Sequence, residues 1–340
     1  MKKLTLKHSR GTTKVRIESD YSHFRELFDT VSTGRKVCLL SDGETSFVSA
    51  EIKSALDGYA VFETSSGKGE SVKSAENFYS VCEFLFKNGF TRKDALVAIG
   101  GGAVSDLVGF VASAYARGMN YVNCPTTLLS ATDACVGGKT AVDFCGVKNA
   151  LGEFYSPSAV YVAVNVLKSL PEKEIKSGMG EVAKYALISK KIRTEDLIGG
   201  VNERLVYKCL SVKKKFVEKD EFDNGIRKIL NLGHTYGHAV ESAGGFKIPH
   251  GECVAAGLYA AINASAKFYN LTDKTVNGMK TILCAAGFGA DYDKTFPTRG
   301  LSFDKKSDGE NIDLILLKKR GKPTIVKTPL KTASELFGCR

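Results

Sequence analysis

The sequence contains no apolar run near the roughly 18 residues that a membrane-spanning helix needs, which excludes a transmembrane segment. Behind the lysines of its first residues, MKKLTLKHSRGTTKVRIE, no apolar stretch follows, so we expect no secretory signal. Its nine cysteines include no CxxC pair, and this scatter indicates reduced thiols in a cytoplasmic protein. Internal repeats and low-complexity segments are also absent. With 43% apolar and 25% charged residues, the composition is that of a soluble globular protein.

A dense basic segment is missing too, although lysine and arginine outnumber aspartate and glutamate by 48 to 37, a formal net charge of +11. Nucleic-acid binding usually needs basic residues concentrated in one segment and interleaved with aromatic residues. The densest basic run here is only Lys213–Lys215. The spread of the charge therefore favours an anionic small substrate over a nucleic acid or a membrane surface, although a solvated surface would explain much of it.

The length of 340 residues allows two ordinary domains or one large one, and the pattern changes near the middle. Up to about residue 165, short apolar runs such as KVCLLSD (36–42) and ALVAIGGG (95–102) alternate with helical patterns. Such alternation predicts a mostly parallel sheet covered by helices on both faces. The later spacing is helical, apart from a hairpin predicted in LILLKKRGKPTIVK (314–327). We therefore predict an α/β domain over 1–158 and an otherwise all-helical domain over 159–340.

A glycine-rich loop, AIGGGAVSD (98–106), lies between a predicted buried strand and a predicted helix. Gly100, Gly101 and Gly102 would let a phosphate approach the backbone, and free N–H groups at the helix start favour its negative charge. The loop is not the GxGxxG fingerprint of dinucleotide-binding folds, but Asp42, at the end of an earlier strand, could hold a ribose hydroxyl. The loop therefore predicts a pyrophosphate site, with a tight strand–helix turn as the alternative.

Three of the five histidines cluster late in the chain, His234 and His238 in NLGHTYGHAV and His250 in IPHGECV. Because His234 and His238 are four residues apart, a helix would place them on one face, which suits a divalent metal ion. By spacing alone, both would be ligands and His250 would be a third. Spacing cannot show which of the histidines turns toward the metal ion.

Glu181 is a lone carboxylate in the apolar helical pattern GMGEVAKYALI. If buried there, its charge would need a partner, and either a metal ion or Lys184 could supply one. The alternative is an exposed Glu181–Lys184 pair at i,i+3, which contributes only a few tenths of a kcal/mol. The clustered histidines favour the metal site.

Five segments together resemble the 3-dehydroquinate synthases, the sugar-phosphate cyclases of the shikimate pathway. They are, in order, GGGAVSD, PTTLLSATDACVGGKTAVD, LPEKEIKSGMGEVAKYALI, IRKILNLGHTYGHAVES and PHGECVAAG. The resemblance runs from about Lys36 to Lys318. It implies an N-terminal α/β domain that binds NAD and a helical C-terminal domain that binds a metal ion. It also implies conversion of 3-deoxy-D-arabino-heptulosonate 7-phosphate into 3-dehydroquinate and phosphate, by oxidation, phosphate elimination, reduction and intramolecular aldol addition.

The resemblance assigns the metal ligands differently from the helical spacing. It implies that Glu181, His234 and His250 bind Zn²⁺, with Co²⁺ as an alternative ion, and that His238 contacts the substrate and handles protons. It implies a homodimer in which Arg117 reaches the substrate's phosphate from the other subunit. The remaining substrate contacts that it implies are Asp133, Lys139, Asn149, Lys184, Lys213, Arg227, Asn231 and one of Lys305 and Lys306.

For NAD, the resemblance implies a longer set of contacts. They are Asp42, Glu70, Lys73, Gly100, Gly101, Gly102, Asp106, Thr126, Thr127, Asp133, Lys139, Lys148, Ser169 and Glu174. Three positions depart from the family pattern: Ser105 and Val147 replace glycines, and Ser169 replaces a threonine. Because all three would touch the cofactor, they bear on NAD affinity rather than on the reaction.

Other functions agree with parts of this pattern. A metal-dependent polyol dehydrogenase of the related fold would share the glycine loop and the histidine helix, but it would not need Lys139, Arg227 and Asn231 for a phosphate and a carboxylate. Another sugar-phosphate cyclase, acting on a substrate without a carboxylate, is disfavoured by Arg227, Asn231 and His238. A catalytically inactive binding module is disfavoured by the intact metal set and Lys184.

Overall fold

A computed structural model of the chain describes residues 1–245, 247–293 and 311–338. Contacts divide the chain into two units. The first unit comprises Met1–Leu170 and Val201–Lys214, and the second comprises Pro171–Gly200 and Lys215–Arg340. The predicted domain boundary after residue 158 precedes the strand Ala159–Ala163, which belongs to the sheet of the first unit.

The strands of the described residues are β1 (Lys2–His8), β2 (Gly11–Glu18), β3 (Lys36–Ser41), β4 (Ala60–Ser65), β5 (Ala95–Gly100), β6 (Asn120–Pro125), β7 (Lys139–Phe144), β8 (Val147–Phe154), β9 (Ala159–Ala163), β10 (Asn311–Leu317) and β11 (Pro323–Pro329). The α-helices are α1 (Phe24–Phe28), α2 (Ser46–Ala55), α3 (Ala75–Lys87), α4 (Gly102–Ala114), α5 (Val164–Lys168), α6 (Glu172–Ile188), α7 (Thr194–Ile198), α8 (Glu203–Val217), α9 (His234–Ala243), α10 (His250–Tyr269), α11 (Asp273–Ala285) and α12 (Leu330–Phe337). Short 3₁₀ segments cover Gly69–Val72, Tyr115–Arg117, Ile226–Asn231 and Ala290–Tyr292, and a π-helical turn covers Ser130–Ala134.

The first unit is built on a seven-stranded sheet in the order β1-β2-β9-β6-β5-β3-β4. Strands β1 and β2 pair antiparallel, and every other neighbouring pair in this sheet is parallel. The run KVCLLSD forms β3 and the run ALVAIGGG forms β5, as their apolar character predicts. The prediction of a mostly parallel sheet is confirmed.

Both faces of the sheet are buried, as the continuous apolar strands require. Val37 and Leu39 of β3 pack into one cluster, together with residues of α1 and α2. Cys38 and Leu40, which alternate with them, pack into a second cluster with residues of α3 and α4. Since helices cover both faces, polar functional groups are left to the ends of the strands and the loops that follow them.

Two hairpins of the first unit, β1–β2 and β7–β8, were not predicted. The turn between β7 and β8 contains Cys145 and Gly146 at φ values of 49° and 76°, which suits a two-residue hairpin loop. Strand β8 is exposed at every position except its partly buried last residue, Phe154. It therefore shows no alternation of buried and exposed residues from which a strand could be predicted.

Among its described residues, the second unit is helical apart from one antiparallel hairpin. Strands β10 and β11 pair in the region where LILLKKRGKPTIVK predicts a hairpin. Leu314 and Leu316 of this hairpin are buried in a cluster with Ala264 of α10 and Ala333 of α12. Within the ranges that the structure describes, no helix combines the length and the apolar character needed to cross a membrane.

One α-helix in the second unit begins later than the sequence pattern predicts. The segment IRKILNLGHTYGHAVESA begins as a 3₁₀ helix over Ile226–Asn231, and the α-helix begins only at His234. Gly233 between them has a φ of 81°, in the left-handed region that a continuous α-helix cannot contain. This break sets the direction of α9 and makes His234 its first residue.

A candidate metal centre and a candidate nucleotide site

Close packing of two helices in the second unit brings Glu181 beside His250. Gly180 of α6 and Gly251 of α10 face each other, and a Cβ on Gly180 would lie only 2.1 Å from the carbonyl oxygen of Gly251. A Cβ on Gly251 would in turn lie 1.6 Å from the carbonyl oxygen of Ser177. Glycine at both positions therefore lets the two backbones approach. The residues next to them in sequence, Glu181 and His250, are thereby brought together.

Glu181, His234 and His250 present one ligand atom each at a spacing that suits a single ion. Oε1 of Glu181 lies 3.3 Å from Nε2 of His234 and 3.4 Å from Nε2 of His250. These distances are at the long end of the range for hydrogen bonds, and they match the separation of about 3.3 Å between two ligands of a tetrahedral ion with bonds of about 2.0–2.1 Å. Lys184 contacts the other carboxylate oxygen, Oε2, through Nζ. The donor set therefore fits a divalent metal ion.

Charge and burial at this centre also favour a cation. Burial alone would raise the pKa of Glu181, but Lys184 and the two histidines hold that pKa well below its ordinary value. Burial lowers the pKa of His234, which leaves a neutral imidazole able to act as a ligand. Burial also acts to lower the pKa of His250, but hydrogen bonds to Glu181 and Glu241 outweigh it and raise the pKa to about 10. The carboxylates of Glu181 and Glu241 thus lie on opposite sides of the His250 ring and favour a positive charge there.

His238 lies one turn after His234 on α9 and is exposed. Its ring centroid is 5.3 Å from that of His234 and 6.0 Å from that of His250. The side chain of His234, by contrast, is only 14% exposed. A second group of ligand atoms, from His238, Glu241 and His250, also lies within 4.8 Å of one another. The helical spacing of His234 and His238 therefore does not by itself identify the ligands.

Arg227 and Asn231 lie on the 3₁₀ segment that precedes α9. Arg227 is 3% exposed, and its guanidinium donates a hydrogen bond to the backbone oxygen of Glu221. The segment is anchored by Asp220, whose carboxylate accepts the backbone N–H groups of Asn224, Gly225 and Arg227 at 3.0, 2.7 and 2.9 Å. Sequence reasoning missed Asp220. The available signal was an aspartate a few residues before a glycine and a helical pattern, a common turn arrangement.

In the first unit, Asp42 and the glycine loop meet at one point of the sheet. Strand β4 lies on one side of β3, whereas β5 and then β6 lie on the other, so the order of strand addition reverses between β3 and β5. Ligands of open α/β sheets bind at the carboxyl ends of the strands at such a point. Asp42 follows β3, and a Cβ on Gly100 at the end of β5 would lie 3.3 Å from Oδ2 of Asp42 and 2.6 Å from Val104. Only glycine fits this approach.

The glycine loop continues into the first turn of α4, whose N-cap is Gly101. Helix N–H groups therefore point from the end of β5 toward the position predicted for a pyrophosphate. Thr126 donates its backbone N–H to the carbonyl oxygen of Gly100 at 3.0 Å. The side chain of Thr127 would lie 3.2 Å from a Cβ on Gly101. This part of the first unit fits the pyrophosphate of a dinucleotide.

A buried lysine connects α4 to the β7–β8 hairpin. Lys73 is 6% exposed, and its Nζ lies 2.7 Å from Oδ2 of Asp106 on α4. The same Nζ donates to Oδ1 of Asn149, which has a φ of 54° in β8. Asp143 of β7 accepts the backbone N–H of Asn149 at 2.7 Å. Residues predicted to contact NAD and a residue predicted to contact the substrate therefore form one network.

A second lysine–aspartate pair lies elsewhere in the first unit. Lys213 of α8 donates to the backbone oxygen of Asp133 at 2.8 Å and contacts its carboxylate. Lys148 of β8 lies 3.8 Å from Glu70. Lys139 begins β7 and is exposed.

Arg117, Glu174, Lys305 and Lys306 were also predicted to contact the substrate or NAD. Arg117 is exposed and has a φ of 62° next to Ala116 at 51°. Glu174 is exposed in the first turn of α6, and Lys305 and Lys306 lie outside the described residues.

The three predicted departures from the family pattern lie in α4, at the start of β8 and directly after α5. Ser105 is buried in α4 and donates its hydroxyl to the carbonyl oxygen of Gly102 at 2.9 Å. Val147 begins β8 directly after the hairpin turn and is 38% exposed. Ser169 follows α5 and donates to the carbonyl oxygen of Val166 at 2.8 Å. Ser105 is the departure that touches the glycine loop itself.

Two family models and several relatives of known function match this chain. The chain matches the family model described as 3-dehydroquinate synthase N-terminal over residues 63–177, and the C-terminal model of the same family over residues 178–307. The 3-dehydroquinate synthase of Acetivibrio thermocellus is 36% identical over 322 residues, which cover 89% of this chain and 89% of that protein. The 3-dehydroquinate synthase of Clostridium tetani is 35% identical over 332 residues, 92% of this chain and 88% of that protein.

A solved structure provides a further comparison. The crystal structure of 2-deoxy-scyllo-inosose synthase complexed with carbaglucose-6-phosphate, NAD⁺ and Co²⁺ has a TM-score of 0.86 to this chain. The two are 24% identical, and the comparison covers 99% of each chain. At that level of identity, the likeness shows the fold.

Proposed function

The chain belongs to the 3-dehydroquinate synthase family, and from this we propose which of its residues bind the cofactors and the substrate. It is an enzyme of the shikimate pathway that converts 3-deoxy-D-arabino-heptulosonate 7-phosphate into 3-dehydroquinate and phosphate. The observation that carries this function is the match of both family models in succession, over residues 63–307, together with relatives at 35–36% identity over most of the chain.

The metal centre consists of Glu181, His234 and His250, and the ion is Zn²⁺, with Co²⁺ as a substitute. The distances of 3.3 and 3.4 Å between the Glu181 oxygen and the two imidazole nitrogens support this assignment. Three protein ligands leave coordination open for oxygens of the substrate. When bound, the ion supplies Lewis acidity that lowers the pKa of a coordinated hydroxyl. Lys184 holds the remaining oxygen of Glu181 and keeps that carboxylate charged.

His238 contacts the substrate and transfers protons, and it is not a metal ligand. Its exposure, beside two less accessible histidines, supports this role. An imidazole can accept or donate a proton near neutral pH, as general acid–base chemistry requires. In this proposal His238 acts on the substrate, while His234 and His250 hold the ion.

NAD binds in the first unit, with its pyrophosphate at Gly100, Gly101 and Gly102 and its ribose at Asp42. The close approach of Gly100 to Asp42 at the reversal point of the sheet supports this position. When bound, the cofactor supplies a hydride acceptor that is regenerated within each cycle. The further proposed contacts are Glu70, Lys73, Asp106, Thr126, Thr127, Asp133, Lys139, Lys148, Ser169 and Glu174.

The substrate carries a carboxylate and a phosphate, and cationic side chains recognise both. Arginine suits the oxyanions because its planar fork can donate two parallel hydrogen bonds, whereas lysine acts as a point charge. Lys184, Lys213 and Arg227 are buried, Lys184 beside Glu181 and Lys213 beside Asp133, so their charges are held in fixed positions, which supports a role in recognising the oxyanions. The proposed substrate contacts are Asp133, Lys139, Asn149, Lys184, Lys213, Arg227, Asn231, His238, Arg117 and one of Lys305 and Lys306.

The assembly is a homodimer in which Arg117 of one subunit reaches the phosphate bound by the other subunit. Arg117 and Ala116 both adopt left-handed backbone conformations, which cost free energy and recur at functional positions. Mixing an Arg117→Ala protein with a Lys184→Ala protein should restore activity, because one site of each hybrid dimer has both residues intact. A mixture of Lys184→Ala with His250→Ala is the control, since no hybrid site is then complete. No recovery despite proven subunit exchange would contradict the shared site.

The function is tested by incubating the purified protein with the heptulosonate phosphate and NAD, and by following phosphate and 3-dehydroquinate together. Equal amounts of both products are expected. A polyol dehydrogenase would instead reduce NAD without releasing phosphate. A cyclase for another substrate would leave the heptulosonate phosphate unchanged.

A further inference from the structure

The imidazole of His250 is held from both sides by carboxylates. Its Nε2 lies 3.4 Å from Oε1 of Glu181, and its Nδ1 lies 3.4 Å from Oε2 of Glu241. Glu241 belongs to α9, and its side chain is 16% exposed. Sequence reasoning assigned no role to Glu241, although it follows His238 by three residues and so shares its helix face.

The second histidine ligand has the same arrangement. Nε2 of His234 lies 3.3 Å from Oε1 of Glu181, while its Nδ1 lies 3.3 Å from the backbone oxygen of Leu232. An imidazole that binds a metal ion through one nitrogen usually donates the N–H of the other to a carboxylate or a carbonyl. That hydrogen bond selects the tautomer and the orientation of the ring. Both rings therefore direct Nε2 toward Glu181 and Nδ1 toward an acceptor.

We propose that Glu241 is a positioning residue of the metal centre, which accepts the Nδ1–H of His250 and holds Nε2 toward the ion. This proposal rests on the proposed ligand set of Glu181, His234 and His250. The competing arrangement uses Glu241 itself as a ligand, together with His238 and His250. In that arrangement the Nδ1 of His250 would have to bind the ion, and Glu181, only 3% exposed in its side chain, would lose its place among the ligands. The burial of Glu181 and the distances of 3.3 and 3.4 Å from its Oε1 to the two Nε2 atoms favour the first arrangement.

The test measures metal affinity rather than activity. Apo protein, prepared with a chelator, is titrated with Zn²⁺ against a competing chelator, and with Co²⁺ by its visible absorption. We expect Glu241→Ala to weaken metal binding about 10–100-fold, because its loss frees the His250 ring. Glu241→Gln should weaken binding less, since its amide oxygen can still accept the Nδ1–H. The Co²⁺ absorption band should change in Glu241→Ala and return toward the wild-type band in Glu241→Gln.

Glu252→Gln is the matched control, because Glu252 lies two residues after His250 on α10 but accepts from Tyr292 and lies 3.9 Å from Lys176. Its metal affinity should equal that of the wild type. Unchanged affinity in Glu241→Ala would overturn the positioning role. Equal losses in Glu241→Gln, Glu241→Ala and His238→Ala would show that Glu241 is a ligand. Retention of metal by both His234→Ala and His250→Ala would instead contradict the proposed centre itself, whatever Glu241 does.

Discussion

Glu181 is 2% exposed and ionised, and its neighbours explain how the fold accommodates this buried charge. Lys184, equally buried, contacts one carboxylate oxygen, and two imidazole nitrogens face the other. An isolated carboxylate in such surroundings would be strongly destabilising. The charge of Glu181 is therefore balanced by Lys184 on one side. On the other side, the carboxylate oxygen and the two imidazole nitrogens leave a position suited to a second cation. That second position is the proposed metal site.

The roles of His238 and His250 can be separated by substitution. We expect His250→Ala to lose both metal and turnover, because it removes one of three ligands. His238→Ala should keep its metal but lose about 100-fold or more in rate, the usual contribution of general acid–base catalysis. Metal content of the purified variants and their turnover numbers are the measurements. A loss of metal in His238→Ala equal to that in His234→Ala would restore the pair that the helical spacing suggested.

Residue spacing could find the histidines and Glu181 but could not choose among them, and the choice came from the family resemblance. The i,i+4 spacing of His234 and His238 predicts a shared face, and the rings are indeed 5.3 Å apart. The choice depends instead on Gly180 and Gly251, which bring α6 against α10 at the level of Glu181. Such an approach joins Gly180 to Gly251, which is 71 positions later in the chain. No local pattern contains it.

The 3₁₀ segment that carries Arg227 and Asn231 depends on one side chain for its position. Burial acts to raise the pKa of Asp220, but hydrogen bonds from the backbone N–H groups of Arg227, Gly225 and Asn224 outweigh it and lower that pKa. A pKa that is lower in the folded state than in the unfolded state means that the charged form stabilises the fold. This contribution is present above the unfolded pKa, near pH 4, and is lost as the pH falls through the folded pKa.

We therefore expect Asp220→Asn to lower the free energy of unfolding by about 1 kcal/mol at pH 7, the usual net value of a hydrogen bond at a partly exposed position. The difference from the wild type should shrink as the pH is lowered from 7 to 3, because the contribution of the charged form is lost below the unfolded pKa, near pH 4. Urea denaturation at the two pH values measures this. Glu195→Gln is the control, because its side chain is 76% exposed, and it should change stability by less than about 0.5 kcal/mol. A difference that stays constant from pH 7 to pH 3 would contradict the role of the charge.

Elements with a continuous apolar pattern were predictable, and elements without one were not. Strands β3 and β5 are buried on both faces, so their sequences are apolar throughout and predict strands directly. Strand β8 is exposed almost throughout and depends on its turn and on pairing with β7, so no periodicity marks it. The break before His234 was likewise hidden, because LNLGH continues an apolar spacing that only the left-handed φ of Gly233 interrupts.

At the scale of the whole molecule, the net charge of +11 agrees with a substrate that carries about three negative charges. Among the cations proposed to contact the substrate, Lys139 and Lys213 belong to the first unit, and Lys184 and Arg227 belong to the second. The alternation of strands and helices predicts the first unit, and the helical spacing predicts the second. The division of the chain is less simple than a single boundary, because Val201–Lys214 returns to the first unit. The sequence pattern stays helical through Val201–Lys214, so the assignment of this segment to the first unit could not be predicted.

The last prediction concerns the role of NAD in the reaction. We expect NAD to be required in sub-stoichiometric amounts, with many turnovers per NAD and no lasting NADH absorbance, because the hydride is returned within each cycle. NADP should be a poor substitute, since a carboxylate at the ribose, here Asp42, repels the extra phosphate. Asp42→Asn should lower the ratio of activity with NAD to activity with NADP.

Ser105 is buried, and its hydroxyl donates to the carbonyl oxygen of Gly102 at a position where the family resemblance implies glycine. We expect this serine to weaken the affinity for NAD. Protein purified without NAD should then be partly inactive and recover when NAD is supplied.

The measurement is a stopped assay in which the amount of NAD is much smaller than the amount of substrate converted. Phosphate release and the absorbance of NADH are read in the same sample. Ser105→Gly restores the glycine of the family pattern and serves as the comparison, with an expected gain in the fraction of protein that retains NAD during purification. That gain separates the effect of the loop on affinity from any effect on the reaction, because phosphate release at saturating NAD should not change. Accumulation of one NADH per substrate consumed, with no phosphate released, would mean that the chain acts as a dehydrogenase and would remove the basis for the cyclase.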